Sequence, residues 1–71
     1  MNFYDRLLVE RIDLRNRITS LSFFIKLAPR YKELSNEHKR LLNDQLSYMR
    51  KYYEILDLRI ALLEKEGNTN D

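Results

Sequence analysis

The stretch from Leu41 to Leu63 constrains the fold of this 71-residue chain most strongly, because it keeps one helical periodicity throughout. It contains neither proline nor glycine, and apolar side chains recur every seven positions at Leu42, Met49, Leu56 and Leu63. A seven-residue apolar repeat is the seam by which a long amphipathic helix packs against another helix. The sequence therefore predicts a long helix in the second half of the chain, together with a helical partner for it.

Polar side chains alternate with this seam. Gln45, Tyr52 and Arg59 are also seven residues apart and fall where a helix built only for packing would carry leucine. The presence of Gln45 and Tyr52 at these positions has two explanations: they bind a ligand, or they fix the register between subunits. Arg59 has no packing explanation, because a cation in an apolar seam needs an anion or a carboxylate beside it.

The first half of the chain predicts a second long helix, over about residues 2–27. Asn2 is a good capping residue, and Pro29 ends the helix because the residue before a proline disfavours the helical conformation. One face of this helix is apolar, with Arg11 interrupting it. That face consists of Tyr4, Leu7, Leu14, Ile18, Leu21 and Ile25.

The remaining boundaries follow from capping signals. A connector over 28–35, with room for one short helical turn, leads to Ser35, which is expected to cap a helix over about 36–66. Gly67 is a stop signal, and residues 68–71 are expected to form a flexible polar tail. We therefore predict one helical domain over residues 1–67.

Two long helices joined by a short connector pack as an antiparallel hairpin. Residues whose numbers add up to about 67 should then lie level, which places Tyr4 and Leu7 beside the segment that contains Arg59, Ile60 and Leu63. A hairpin alone leaves many apolar side chains uncovered, so the fold class is all-α with assembly into a compact homo-oligomer. The side chains expected to need a partner subunit are Leu8, Val9, Ile12, Phe23, Phe24, Tyr53, Ile55 and Leu62.

Composition argues against several classes of function. The chain has no cysteine, one glycine and one histidine, His38, so thiolate metal sites, glycine-rich phosphate loops and histidine clusters are excluded. We expect no enzyme, no metal and no cofactor. A net charge of only +2 gives little affinity for DNA or RNA polymers, and no apolar run is long enough to span a membrane.

Binding has better support than catalysis. Five tyrosines offer flat faces and hydroxyls, and arginine offers a planar fork for phosphate. Tyr4 with Arg59 is the favoured binding pair. Rim tyrosines that pack with their hydroxyls in water are the alternative. Arg11 either points into a groove between subunits or swings out to solvent, and Lys26 either binds an anion or solubilises the connector.

The combined pattern resembles a family of small bacteriophage proteins that includes the anti-CBASS type 2 sponges. The residues that carry the resemblance are Phe24-Ile25, Gln45, Met49, Tyr52 and Arg59-Ile60. The resemblance implies a homo-oligomer, a hexamer in characterised relatives, that holds cyclic di- and trinucleotides between protomers without acting on them.

The resemblance also implies ligand-binding residues. Tyr4 matches a tyrosine that contacts cyclic dinucleotides, and Arg59 matches an arginine of the trinucleotide site. Where the family has a lysine in the first helix, this chain has Thr19 and Ser20, and Lys26 is the next candidate.

The leading hypothesis is therefore a phage-encoded sponge for cyclic oligonucleotides. In the host bacterial cytoplasm it would block the CBASS antiphage response without cleaving the signal. The alternatives are a helical oligomerisation or protein-interaction module without a small-molecule ligand, and a weak nucleic-acid binder.

Overall fold

The computed structural model describes residues 2–67 and consists of three helices: α1 (Phe3–Leu27), α2 (Pro29–Lys32) and α3 (Asn36–Glu66). These residues contain no strand, which confirms the all-α class, and α1 and α3 form the expected long helices with a short helical turn between them. The predicted flexible tail, 68–71, lies outside the described residues.

Side-chain caps fix the starts of the two long helices. The Asn2 side chain accepts a hydrogen bond from the backbone N–H of Asp5 at 2.8 Å, and the Ser35 hydroxyl accepts one from the backbone N–H of His38 at 3.1 Å. Each cap satisfies an N–H that has no partner within its own helix, and a cap of this kind is worth about 1 kcal/mol. Both helix starts are therefore determined by local sequence.

The helix ends are determined locally as well. Ala28 is extended and Pro29 opens α2, as the restriction on the residue before a proline requires. Gly67 ends α3 in the left-handed conformation, with φ of 75°. A Cβ there would meet no atom within 4 Å, so the need for glycine comes from the backbone angle and not from crowding.

The two long helices pack against each other in antiparallel orientation and give the molecule dimensions of 49 × 17 × 14 Å. The two polar side-chain pairs that bridge the long helices, Tyr4 with Glu64 and Arg11 with Asp57, have residue numbers that add up to 68. This register lies one residue from the predicted value of about 67.

The hydrophobic core lies in the half of the hairpin far from the turn. Four buried side chains form it, and Leu56 is fully buried at 0% exposure. The four are Leu7, Leu14, Leu56 and Ile60. Half-buried side chains surround them, namely Tyr4, Leu8, Ile18, Met49, Tyr53 and Leu63. Nearer the turn, Leu46 is buried outside this cluster.

The predicted seam of α3 is wrong at every second position. Gln45, Tyr52 and Arg59 are exposed, and the side chains that face α1 are the ones directly after them, Leu46, Tyr53 and Ile60. The reason is that a helix with 3.6 residues per turn brings both the third and the fourth residue after a seam position close to the partner. At two of the three positions the more apolar candidate packs, Leu46 in place of Gln45 and Ile60 in place of Arg59. Tyr52 and Tyr53 are the same residue type, and Tyr53 follows the side that its neighbours Leu46 and Ile60 set.

Tyr31 holds the turn together. Its ring meets the Phe24 ring edge-on, with centroids 6.2 Å apart and planes at 87°, and the Lys39 Nζ lies 5.5 Å from its centroid. The Asn43 Nδ2 donates to the Tyr31 hydroxyl at 3.0 Å. One side chain of α2 therefore contacts both long helices.

No helix in the described part of the chain combines the length and apolar character needed to cross a lipid bilayer.

Candidate functional site

Two polar contacts bridge α1 and α3 along one edge of the hairpin. The Tyr4 hydroxyl donates to Glu64 Oε2, and seven residues further on the Arg11 guanidinium donates to Asp57 Oδ1 at 2.7 Å. The hydrogen bond to Glu64 raises the pKa of Tyr4, with burial as the second cause. The hydrogen bond to Asp57 raises the pKa of Arg11. We call these contacts the first and second rungs.

The position of a third rung follows from the same spacing. Seven residues after Arg11 comes Ile18, and seven residues before Asp57 comes Arg50, so the register places these two level. Ile18 is apolar and packs against the core. Within residues 2–67, Arg50 has neither an ion pair nor a side-chain hydrogen bond. At the third rung, the Arg50 guanidinium therefore lies opposite an apolar side chain and not opposite a carboxylate.

A groove opens at this third rung, between α1 and α3. It has a volume of about 290 Å³, and α1 supplies all of its lining except Arg50. The lining residues are Ile18, Thr19, Ser22, Phe23, Lys26 and Arg50. A second hollow of about 200 Å³ shares Ile18 and Arg50 and adds Arg15 and Tyr53. Because the two hollows share Ile18 and Arg50, they are neighbours and together form the candidate site.

The groove combines positive charge with hydroxyls and an aromatic face. Arg15 and Lys26, like Arg50, form no ion pair within the described residues. Thr19 and Ser22 add hydroxyl donors, and the Phe23 ring is 58% exposed. Cationic side chains and hydroxyls donate charge-assisted hydrogen bonds to phosphate oxygens, and an exposed ring stacks on a base. The arrangement suits an anion that carries a flat ring.

Of the residues predicted from sequence, Thr19 and Lys26 line the groove together. Ser20 is exposed and lines neither hollow. Arg11 neither points to solvent alone nor into an open site, because the carboxylate of Asp57 pairs with it.

The structure does not bring Tyr4 and Arg59 together. The Tyr4 hydroxyl bonds to Glu64, whereas the Arg59 guanidinium lies over the Phe3 ring, 5.7 Å from its centroid. Five residues separate Arg59 from Glu64, so the two point in directions about 140° apart around α3. Tyr4 and Arg59 therefore belong to different edges of the hairpin, and the partner that Arg59 lacked in the sequence is an aromatic ring.

Sequence reasoning missed Ser22, Arg50 and the role of Phe23, which it assigned only to a subunit contact. The signal on α1 was available, because residues 19, 22, 23 and 26 follow the spacing of one helical face. Arg50 was harder to find, because its place opposite Ile18 depends on the register between the helices.

The acidic side chains and the histidine of the described residues do not form a metal site. No cluster of three or more histidine, aspartate or glutamate side chains able to hold a metal occurs among residues 2–67. His38 is exposed, and its backbone N–H serves the cap of α3.

Comparison with known proteins gives one match. No curated protein and no solved structure matches the chain. A family model described as Sequestin matches residues 1–62, which include α1, α2, the groove and all of α3 except its last turn. That match covers well over half of the sequence, so the chain belongs to the Sequestin family.

Proposed function

We propose that this protein is a phage-encoded sponge that binds cyclic oligonucleotides in the host cytoplasm and withholds them from the CBASS antiphage response without cleaving them. Membership of the Sequestin family supports the proposal at the level of the family. The observation that carries it for this chain is the groove with its neighbouring hollow. Lys26 and Arg50 line the groove and Arg15 lines the second hollow, and none of the three has an ion-pair partner within the part of the chain described.

The groove fits one nucleotide unit of such a ligand. A phosphodiester carries one negative charge, and Lys26 and Arg50 lie on opposite walls of the same hollow. A base stacked on the Phe23 ring would gain about 1–3 kcal/mol. Hydroxyls from Thr19 and Ser22 can donate to phosphate or ribose oxygens. These groups bind and orient a ligand, which is the requirement for retaining it intact.

Tyr4 and Arg59 remain proposed ligand residues, now at positions separate from the groove. A ligand that takes a hydrogen bond from the Tyr4 hydroxyl must replace Glu64 as its acceptor. A ligand phosphate at Arg59 would meet a guanidinium that already lies over the Phe3 ring, and the guanidinium N–H groups can donate to phosphate oxygens.

Assembly of several copies is part of the proposal. Single exposed apolar residues are common on protein surfaces, whereas continuous exposed patches mark interfaces. Of the apolar residues predicted to need a partner, five are strongly exposed: Val9, Ile12, Phe23, Ile55 and Leu62. Leu8, Phe24 and Tyr53 are half-buried within the single chain. The same exposed surface is the specific observation that favours the alternative function, an oligomerisation or protein-interaction module without a small-molecule ligand.

Recovery of the bound ligand tests the proposal. The purified protein is incubated with a panel of cyclic di- and trinucleotides and their linear counterparts, separated from free ligand, and then destroyed by heat and protease. We expect selective retention of cyclic members and their release intact. Degraded nucleotide would indicate an enzyme. No retention of any member would leave the interaction module, and binding of nucleic-acid polymers that disappears as salt rises would indicate a weak nucleic-acid binder.

A further inference from the structure

α3 carries a second, largely apolar stripe on the flank of the face that packs on α1. We define this outer stripe as Leu41, Gln45, Tyr48, Tyr52, Ile55, Arg59 and Leu62. Its spacing alternates between four and three residues, the pattern of a coiled-coil seam. Every member directly precedes a residue of the face that packs on α1, so the stripe is rotated from that face by about 100°. Its five apolar members are between 44% and 75% exposed.

The outer stripe is nearly palindromic about Tyr52. Gln45 and Arg59 each lie seven residues from Tyr52, Leu41 and Leu62 lie eleven and ten residues away, and the remaining pair, Tyr48 with Ile55, lies four and three residues away. Two such helices placed antiparallel bring leucine to leucine and tyrosine to isoleucine. We propose that α3 of one copy packs along α3 of a second copy in antiparallel orientation, with the two-fold axis passing beside Tyr52.

The charged residue of the stripe selects this orientation. In the antiparallel register, Arg59 of each copy lies level with Asp44 and Gln45 of the other. Asp44 uses Oδ2 for Arg40 at 3.2 Å, and Gln45 uses its amide nitrogen toward Met49. The Asp44 Oδ1 and the single side-chain oxygen of Gln45 can therefore accept from Arg59. A parallel pairing would place Arg59 against Arg59, and opposed like charges destabilise an interface.

The ends of the stripe limit the contact to its central turns. The antiparallel register brings Glu37 of one copy level with Glu66 of the other, beyond the last leucine pair. Arg40 lies 3.9 Å from Glu37 and partly offsets its charge, and salt screens charges that remain in water. The pairing is thus defined by Leu41 to Leu62 and not by the full length of α3.

Spin labels on single cysteines test the pairing, because the chain has no cysteine of its own. This inference rests on the assembly proposed above. In an antiparallel pair, equivalent residues are separated along the axis by about 3 Å for each position from Tyr52. We therefore expect the shortest distance between equivalent labels for Lys51→Cys and an axial separation of about 39 Å for Lys65→Cys. Equal distances at the two sites would indicate parallel pairing and overturn the inference.

A charge exchange provides the second test. Arg59→Glu faces Asp44 across the interface and should raise the dissociation constant of the assembly at least tenfold, measured by analytical ultracentrifugation, whereas Asp44→Lys combined with Arg59→Glu should restore association. A monomeric wild-type chain, or a double variant no better than Arg59→Glu alone, would overturn the pairing. Ligand recovery is scored separately. Retained ligand without this pairing refutes only the interface, and this pairing without retained ligand refutes only the sponge.

Discussion

Replacing Arg50 with alanine tests the groove most directly, because Arg50 lines both hollows and has no ion-pair partner within residues 2–67. The variant removes no intramolecular pair, so the free energy of unfolding should change by less than about 0.5 kcal/mol, as at other exposed positions. The loss should therefore appear in ligand binding and not in folding.

The size of that loss follows from the exposure of the side chain. A charge-assisted hydrogen bond contributes about 1.5–3 kcal/mol, and a bare charge contact at about 4 Å in bulk water contributes about 1 kcal/mol. Since Arg50 is exposed, we expect about 1–2 kcal/mol. This corresponds to a rise in Kd of roughly 5- to 30-fold, because about 1.4 kcal/mol is a factor of ten.

Lys51→Ala is the matched control. Lys51 is the next residue of α3 and is exposed, but it lines neither hollow. Its replacement by alanine removes one positive charge, as Arg50→Ala does. Isothermal titration calorimetry with a retained cyclic nucleotide, at about 50 mM and about 200 mM salt, should show less than a twofold change for Lys51→Ala. Equal losses for the two variants would mean that only net charge matters, and the groove would then not be the site.

Three further predictions concern the fold. Leu56→Ala, at 0% exposure, should lower the free energy of unfolding by about 3–5 kcal/mol, measured by urea denaturation at fixed protein concentration. A double-mutant cycle on Arg11 and Asp57, whose side chains are 32% and 47% exposed, should give a coupling of about 0.5–1 kcal/mol. The pKa of Tyr4 is raised above 10.0, so its contact with Glu64 should stabilise the fold below pH 10 and lose this effect as pH rises through the folded-state pKa. Tyrosinate absorbance, measured against pH for wild type and Glu64→Gln, should show ionisation at lower pH in the variant.

Each of these predictions has a result that would contradict it. Leu27→Ala, at 71% exposure, is the control for Leu56, and equal destabilisation by both would place Leu56 outside the core. Additive effects at Arg11 and Asp57 would mean that the second rung is absent in solution. Identical tyrosine titrations with and without the Glu64 carboxylate would remove the first rung.

The sequence predicts the helices well because their signals are local. Asn2, Pro29, Ser35 and Gly67 each act through the backbone of a few neighbouring residues, so no tertiary information is needed. The sequence pattern placed Arg59 in the apolar seam of α3, whereas Ile60 is the residue that packs there. Arg59 lies three residues and Ile60 four residues after Leu56, so both fit a helical repeat of 3.6 residues. Only the packing of the two helices shows which of them faces α1.

The candidate site is less accessible to sequence reasoning. Thr19 was named through the family resemblance, and Lys26 through the resemblance and its place beside the connector. Arg50 lies 24 residues beyond Lys26 in the chain and enters the groove only through the pairing of the helices. The Arg11 pair with Asp57 has the same origin. Contacts between distant residues require the register, and a register error of one residue changes which side chains meet.

The location of the core at the open end of the hairpin has a consequence for cooperativity. Leu7 and Ile60, both buried, are joined by a long intervening chain, and closing it costs conformational entropy that grows with the logarithm of its length. Near the turn, Leu46 is buried outside the cluster, and Tyr31 provides mainly ring and polar contacts. A partly paired hairpin would therefore lose the conformational entropy of closure before it forms the buried core contacts that offset this loss. The chain should fold in one step, with the groove formed only once both ends are joined.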